Sequence, residues 1–461
     1  MKISVLVYRQ DLRAYDHLAL DHALKHQTPV LALYADDPAL DEPTRYGFPR
    51  RSSKRRAFLR QTLSILKTTL KPLGVPLIVL NQPLLSALKT VAEAYEIERV
   101  ILHHTDGEEE RLDDLALMQW YPKRVFFFED KSLLSPHQLP FEIAQLPKTF
   151  TAFRQKVEAL TPPPVLPQRQ PQTAWTPVIP CTLSVETKTL VFPAGEIAAK
   201  ERLEHYLFHT HAVKTYKETR NGMLLDDASS KFSPYLANGS LSVRWVYARL
   251  THYERTVVKN DSTYWLFFEL LWRDYFSFLS QQQGAKLFQS QALSLKPIQW
   301  RASATDWQRI VDAQTGFPLI DANLRMLYQT GYMSNRGRQN VASFITKNLR
   351  LDWRLGAAWF EHHLLDYDVA SNYGNWAYVA GVGSDAREFR YFDVMKQGQL
   401  YDPDAQLLER YVPELNALPK HLRYRLPLLD RAVYEDYALQ YPRPMVDFHR
   451  SLTLNKPYFI K

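Results

Sequence analysis

The chain holds one cysteine, Cys181, in 461 residues. That excludes an internal disulfide framework and any multi-cysteine metal or iron–sulfur site. No apolar run is long enough to cross a bilayer as a helix. No signal-peptide pattern and no amphipathic leader precedes the first apolar stretch, so a cytoplasmic protein is expected. There is no internal repeat and no low-complexity tail. Glycine is missing from the turn after the first apolar stretch, Arg9-Gln10-Asp11-Leu12-Arg13. A dinucleotide fingerprint needs glycines there to let the backbone approach a pyrophosphate, so that motif is excluded.

What is present is the composition of a globular protein, 46% hydrophobic and 23% charged. Aromatics reach 13%, more than core filling requires, although most of these rings will be plain core. The formal net charge is +8 and the sequence pI is about 9.2, a balance that favours anionic partners, nucleic acid foremost.

The length allows two domains. Short apolar runs at 3–8, 30–34, 76–80, 100–102 and 125–128 alternate with helical spacing at 52–70 and 84–96. This alternation predicts a parallel five-stranded sheet covered by helices. Seven prolines between Pro162 and Pro180 predict an extended crossover. Beyond Gly195 helical patterns dominate, at 196–209, 243–257, 264–279, 317–330, 340–349 and 355–364, with Gly316, Gly331 and Gly356 as punctuation. The expected organisation is an α/β domain at 1–130, a linker at 131–195 and a large all-α domain at 196–461.

Four stretches of the helical half carry chemistry. Thr215–Arg220 with Ser229-Ser230-Lys231-Phe232-Ser233 clusters hydroxyls ahead of a helix, which suits phosphate binding or an ordinary N-cap. In Glu269–Phe276, Glu269 and Arg273 share a helix face, as do Trp272 and Phe276. They form either a surface ion pair beside a core stripe or a cavity wall with a carboxylate and an aromatic platform. Thr330–Asn340 crowds polar and basic residues into a loop, which suits phosphate contacts or plain solvation. Asp366-Tyr367-Asp368 can hold a divalent metal, as in a glycosyltransferase, or accept hydrogen bonds from a ribose or adenine.

Taken in this order, the four stretches resemble the FAD-binding domain of the photolyase/cryptochrome family, closest to its cryptochrome DASH branch. TGFPLIDANLRMLYQTGYMSNRGRQNVASF (315–344) and LLDYDVASNYGNWAYVAGVGSDAR (364–387) are similar to that branch almost throughout. VYRQDLRAYDHLAL near the start and LPKTFTAFRQKVE before the linker also match.

The resemblance implies an α/β antenna domain joined to a helical domain holding FAD in a bent conformation. It implies a blue-light-driven carbon–carbon lyase, a deoxyribodipyrimidine photo-lyase that splits cyclobutane pyrimidine dimers in DNA, acting as a monomer with no membrane partner and no metal. Tyr216, Ser229, Ser230, Lys231, Phe232 and Ser233 would hold the FAD phosphates and ribitol. Glu269, Arg273, Asn335, Arg338, Asp366 and Asp368 would complete the cofactor site, with Arg338 facing Asp366. Asn372 would sit at flavin N5, where an amide stabilises reduced flavin without a fixed charge. Glu269 and Asn372 are counted with the catalytic residues.

Trp376, Trp353 and Trp300 would form the electron relay, with Trp307 the rival for its outer end. Arg220, Trp272, Asn335, Arg336, Gln339 and Tyr378 would face DNA. Gln339 and Tyr378 replace a methionine and a tryptophan of ordinary dimer photolyases, and this smaller, more polar platform predicts a preference for single-stranded or loop DNA. Asn335 and Gln339 stand where (6-4) photolyases use histidines, so that activity is not expected. Glu110 would contact a methenyltetrahydrofolate antenna; an acidic helix start is the other reading of Glu108–Glu110.

Leu225, Asp227, Ala228, Asn238, Ser240, Val243 and Tyr373 depart from the family pattern around the FAD phosphates and the relay. The alternative function is a blue-light receptor using the same flavin. The lack of a long extension after Lys461 weighs against a plant-type signalling role.

Overall fold

A computed structural model describes the chain apart from residues 168, 186–188, 225–226, 295–296, 384–388 and 461; Leu225 lies outside the described residues. Two compact units interleave along the sequence. The first comprises Met1–Lys217, Ser230–Gly284 and Leu365–Ser371, the second Glu218–Ser229, Ala285–Leu364 and Asn372–Lys461.

The first unit is built on five strands, β1 (Lys2–Tyr8), β2 (Val30–Ala35), β3 (Leu77–Leu80), β4 (Glu96–His103) and β5 (Val125–Phe128). All pairings are parallel and the order is β3-β2-β1-β4-β5. A parallel ladder needs crossovers, supplied among others by the helices Leu18–Leu24, Ser53–Leu70, Leu84–Ala94 and Glu108–Trp120. Successive residues of β1 point to opposite faces: Ile3, Val5 and Val7 enter one buried cluster, Leu6 and Tyr8 the other. With both faces covered, the strands read as continuous apolar runs.

The helix expected at 84–96 stops at Ala94, and Glu96 already pairs with Lys2 in β4. Tyr95 and Ile97 are buried apolar residues, which the sheet claims ahead of the helix.

The strand order reverses between β1 and β4, and in open α/β sheets the crevice outside the strand ends opens there. A buried charge cluster lines it. Asp11 Oδ2 lies 2.9 Å from His17 Nε2 and 2.6 Å from His103 Nδ1. His103 Nε2 faces Asp130 Oδ1 at 3.1 Å. Arg13 donates to Asp130 at 2.9 Å, and Arg244 to Asp16 at 2.7 Å. Burial by itself lowers the His103 pKa, but Asp130 and Asp11 override it and hold the group at about 9.

A folded pKa above the unfolded value of about 6.5 stabilises fully below that pH and loses its effect as pH rises through about 9. Chemical denaturation should therefore show stability falling by a few kcal/mol between neutral and mildly alkaline pH. His103→Gln should flatten that stretch of the profile; an unchanged slope in this variant would assign the loss elsewhere.

A long helix, Asp261–Gln283, is fastened to the sheet's strand ends within the same unit. Asp274 accepts Leu133 N–H at 2.8 Å and Leu134 N–H at 2.9 Å. Ser277 Oγ donates to Asp106 Oδ1 at 2.9 Å, and Ser280 Oγ to the Asp106 carbonyl at 2.7 Å. Burial outweighs these bonds and pushes Asp274 up to about 7.

The second unit is helical, with Pro318–Thr330, Asn335–Ser343 and Trp353–His363 among its helices. The helix Val369–Ala380 begins in the first unit and continues into the second. The residues expected in a loop before 340 are helical from Asn335, because Ser334 Oγ accepts Gly337 N–H and caps the helix five residues early. No described helix is long and apolar enough to cross a membrane.

Candidate functional site

In the first unit, Tyr216 and Phe232 both meet the buried ring of Tyr206 edge-on, at 6.5 and 5.6 Å. Lys231, between Ser230 and Phe232, has a left-handed φ of 56°. Side chains other than glycine seldom adopt that region, and such residues gather at ligand clamps. The turn leads into the helix Ser233–Ala237, and Ser233 Oγ donates to Asp366 Oδ2 at 2.6 Å.

Asp368 behaves differently. Its Oδ1 accepts Ser371 N–H at 2.8 Å and its Oδ2 lies 2.6 Å from Lys131 Nζ. Burial pushes its pKa up, but Lys131 overrides this and holds it well below the usual carboxylate range. The two acids of the Asp-x-Asp stretch thus serve separate partners, which is not the arrangement of a shared metal.

Glu269, Trp272 and Arg273 lie half-buried on the Asp261–Gln283 helix. Arg273 spends donors on the carbonyls of Lys131 and Leu236. Trp272 stacks on Phe150 with centroids 3.8 Å apart, so one of its faces is covered. Glu110 folds back over Gly107, and burial raises its carboxyl above the usual range although its own backbone N–H opposes this.

Asp11, His17 and His103 could in principle converge on a cation. The Nδ1 of His17 accepts Leu20 N–H at 3.0 Å, which leaves the ring proton on Nε2, the atom facing Asp11. His103 is held protonated between two carboxylates. The trio is an internal ion cluster whose nitrogen lone pairs are committed to protons.

In the second unit, Asn372 Nδ2 donates to the Ala357 carbonyl at 3.0 Å. This fixes the amide and leaves Oδ1 to accept. Trp376 packs against Gly356, where a Cβ would come within 2.2 Å of Cη2; Gly356 lies three residues beyond Trp353 on the same helix. The Nε1 atoms of Trp353 and Trp300 both donate to the Ser290 carbonyl, at 3.0 and 3.3 Å. Tyr373 meets Trp353 edge-on at 6.0 Å. Trp307 packs instead on Trp359 at 5.9 Å.

In the same unit, Arg336 lies over Tyr401 at 4.8 Å and Phe392 at 5.7 Å and donates to Asn221 Oδ1 at 2.9 Å. Burial lowers its pKa; Tyr401 opposes this, and the like charges of Arg220 and Arg390 reinforce it. Arg390 in turn reaches the Tyr378 hydroxyl at 3.4 Å. Arginines in mutual repulsion among aromatic rings suit a phosphate chain with stackable bases. Asn335 is exposed at the helix start, and Gln339 Oε1 is buried with no partner among the described residues.

Residues 4–172 match the family described as DNA photolyase, and residues 265–457 match the FAD binding domain of DNA photolyase. A cryptochrome DASH from Gloeobacter violaceus is 42% identical, over 99% of this chain and 95% of its own. One from Synechocystis sp. is 41% identical, over 97% and 96%. The chain belongs to the photolyase/cryptochrome family. Among solved structures, a Synechocystis cryptochrome superposes with a TM-score of 0.93 at 38% identity, covering 99% of both chains. A class III photolyase from Agrobacterium tumefaciens gives 0.84 at 26%, covering 100% of this chain and 97% of its own.

The residues fit the cofactor for which the family's domain is named. A flavin ring edge has both donors and acceptors, and the second unit offers it the Asn372 Oδ1 acceptor. The Trp376 indole N–H is buried and finds no acceptor among the described residues.

Lys131, Arg390 and the Ser290 carbonyl leave no local signal in the sequence. Gly356, expected as turn punctuation, lies instead inside the helix Trp353–His363, where the absent Cβ makes room for Trp376. If Arg336 contacts a phosphate, Arg336→Gln should weaken DNA binding for all sequences alike. It should also reduce the slope of log affinity against log salt by about 1. A titration with unchanged slope would remove Arg336 from the DNA face.

Proposed function

We propose that this protein repairs cyclobutane pyrimidine dimers in DNA under blue light and prefers single-stranded or looped substrates. Reduced FAD, when bound, supplies the electron that opens the dimer under illumination. The chain supplies the rest. Tyr216, the Ser229–Ser233 stretch, Glu269, Arg273, Asn335, Arg338, Asp366 and Asp368 hold the cofactor. Asn372 presents a fixed, uncharged amide to the redox ring. Trp376, Trp353 and Trp300 carry electrons inward to recharge it, since short hops between oxidisable indoles replace one long transfer.

Arg220 and Arg336 hold the phosphates flanking the lesion, while Trp272, Asn335, Gln339 and Tyr378 meet the flipped bases. Glu110 contacts a folate antenna. The working division is an antenna domain at 1–130, a linker at 131–195 and a catalytic domain at 196–461.

The observation that carries this reading is Arg336, half-buried among aromatic rings with Arg220 and Arg390 as its charged neighbours; a signalling flavoprotein has no need of such a phosphate cradle. The single-strand preference rests on Gln339 and Tyr378. Extrusion from a duplex costs a few kcal/mol, and a polar platform returns little of it. The test is to illuminate reduced protein with dimer-containing oligonucleotides, single- and double-stranded, and follow restored thymine absorbance. Repair confined to or faster on single strands is expected. Equal rates would end the strand preference, and absence of repair on either substrate would leave the light-receptor reading.

A further inference from the structure

Lys131 lies just beyond β5, outside every motif that the sequence singles out. Its side chain is 13% exposed, and its ammonium lies 2.7 Å from Asp106 Oδ2 and 2.6 Å from Asp368 Oδ2. Both carboxylates are themselves held. The Asp106 carboxylate accepts from Ser277 and lies 3.3 Å from Gln281 Nε2, while its backbone carbonyl accepts from Ser280, all three on the Asp261–Gln283 helix. Asp368 accepts Ser371 N–H at the start of the Val369–Ala380 helix. Two residues before it stands Asp366, whose carboxylate takes the Ser233 hydroxyl at 2.6 Å. The Lys131 backbone is pinned as well, its carbonyl accepting from Arg273. All of these residues belong to the first unit.

A lysine buried between two carboxylates, with its backbone fixed, holds them rigidly. Removing it would leave two like charges facing each other in a dry environment, and their repulsion would displace the backbone that carries them. Asp106 is tied by three side chains of a long helix, and any displacement of Asp368 is passed to Asp366 two residues before it. We propose that Lys131 is a positioning residue for the flavin site: by clamping Asp368 it fixes the placement of Asp366 and the Ser233 hydroxyl toward the cofactor. The proposal rests on the reading of Asp366 and Ser233 as flavin-holding groups.

The charged groups facing the clamp are Asp106, Asp368, Arg273 and, behind Asp106, Asp274. Burial alone lowers the Lys131 pKa, but Asp106 and Asp368 reverse this and hold it above the ordinary lysine value. The ion pair therefore persists throughout the neutral range, and flavin retention by the unaltered protein should not depend on pH there. Without the ammonium, retention should fall as pH rises, because both carboxylates then ionise against each other.

The experiment uses purified holoprotein and measures FAD retained per chain after gel filtration, from mildly acidic to mildly alkaline pH. The shape of the flavin's blue absorption band is recorded alongside. Lys131→Met should bind FAD about 10–100-fold more weakly at alkaline pH, the scale seen when a partner one layer out from a ligand is removed. The loss should shrink toward acid, and the band should change shape. Lys131→Met should cost nothing further in an Asp368→Asn background. If Lys131→Met does not fold, Lys131→Met/Asp106→Asn removes the like-charge repulsion but not the loss of the clamp, and should retain less FAD than the unaltered protein by the same factor at every pH.

Retention and band shape equal to the unaltered protein at every pH, or additive losses for Lys131→Met and Asp368→Asn, would overturn the proposal. Unaltered protein that purifies without flavin would instead defeat the functional reading itself.

Discussion

Asp130→Asn is expected to destabilise the fold by about 3–5 kcal/mol, the cost of breaking one side of a buried ion cluster. Asp130 is buried and serves four partners. It pairs with Arg13 at 2.9 Å, lies 3.7 Å from Arg244, faces His103 at 3.1 Å and accepts Leu18 N–H at 3.1 Å. Burial pushes its pKa up, but Arg13 and His103 override this and hold it far below the carboxylate range.

An asparagine keeps an acceptor for one of these contacts and loses the charge. Arg13 is then buried with its nearest carboxylate gone, and His103 loses the strongest influence holding its proton. The damage should spread along Arg13, which also donates to the Gly239 carbonyl at 3.2 Å. That residue precedes the helix Val243–Thr256, whose Arg244 pairs with Asp16 in the same cluster. Denaturant midpoints at neutral pH measure the effect, and the alkaline loss assigned to His103 should shrink in the same variant. A shift below about 1 kcal/mol would show that water or rearrangement replaces the carboxylate. Arg13→Met in the Asp130→Asn background should recover part of the loss, because a neutral pair leaves no stranded charge.

This cluster also marks the limit of what the sequence discloses. The strands were legible because a parallel sheet covered on both faces leaves uninterrupted apolar runs, and β1, β2, β3 and β5 fall where those runs predict. Helix starts were harder. Ser334 caps a helix whose first turn, Asn335 to Arg338, is polar, and polarity reads as loop unless the cap is recognised. The cluster left no local trace. Asp11 and His103 are 92 positions apart, and Arg13 and Asp130 are 117 apart; only the strand order brings them together.

The candidate site divides in the same way. Ser233, Asp366 and the tryptophans stand out through motif order, and the pattern suggests their chemistry. Lys131 and Arg390 are single cations in unremarkable surroundings, and their partners are supplied by folding alone. The Glu269–Phe276 stretch had two readings, a surface ion pair beside a core stripe or a cavity wall. The structure gives Asp274 a fastening role through Leu133 and Leu134 and leaves Trp272 with one face on Phe150.

Trp353→Phe is expected to slow photoreduction of bound oxidised flavin on the order of tenfold or more while leaving the fold intact. The geometry separates the two effects. Trp353 is fully buried and donates to the Ser290 carbonyl. Phenylalanine keeps most of the ring volume, and Ser290 keeps the Trp300 donor at 3.3 Å. The structural loss is one hydrogen bond, about 1 kcal/mol, and a small cavity costing on the order of 1–2 kcal/mol. The electronic loss is larger, because a benzene ring resists oxidation far more than an indole does.

Trp376 would then have to draw its electron across the gap that Trp353 had bridged, from Trp300 on the far side of the shared carbonyl. Tyr373 meets Trp353 edge-on and offers the only other oxidisable ring seen in contact with it among the described residues, so Trp353→Phe/Tyr373→Phe should be slower still. Illumination with an external reductant, followed by the flavin's visible spectrum, measures the rate. Repair by protein reduced chemically beforehand is the control and should be unchanged, since that electron does not travel through the tryptophans. Photoreduction at the unaltered rate in the single variant would show that electrons reach the flavin by another route, and the adjacency of Trp353 and Trp300 at Ser290 would then be packing alone.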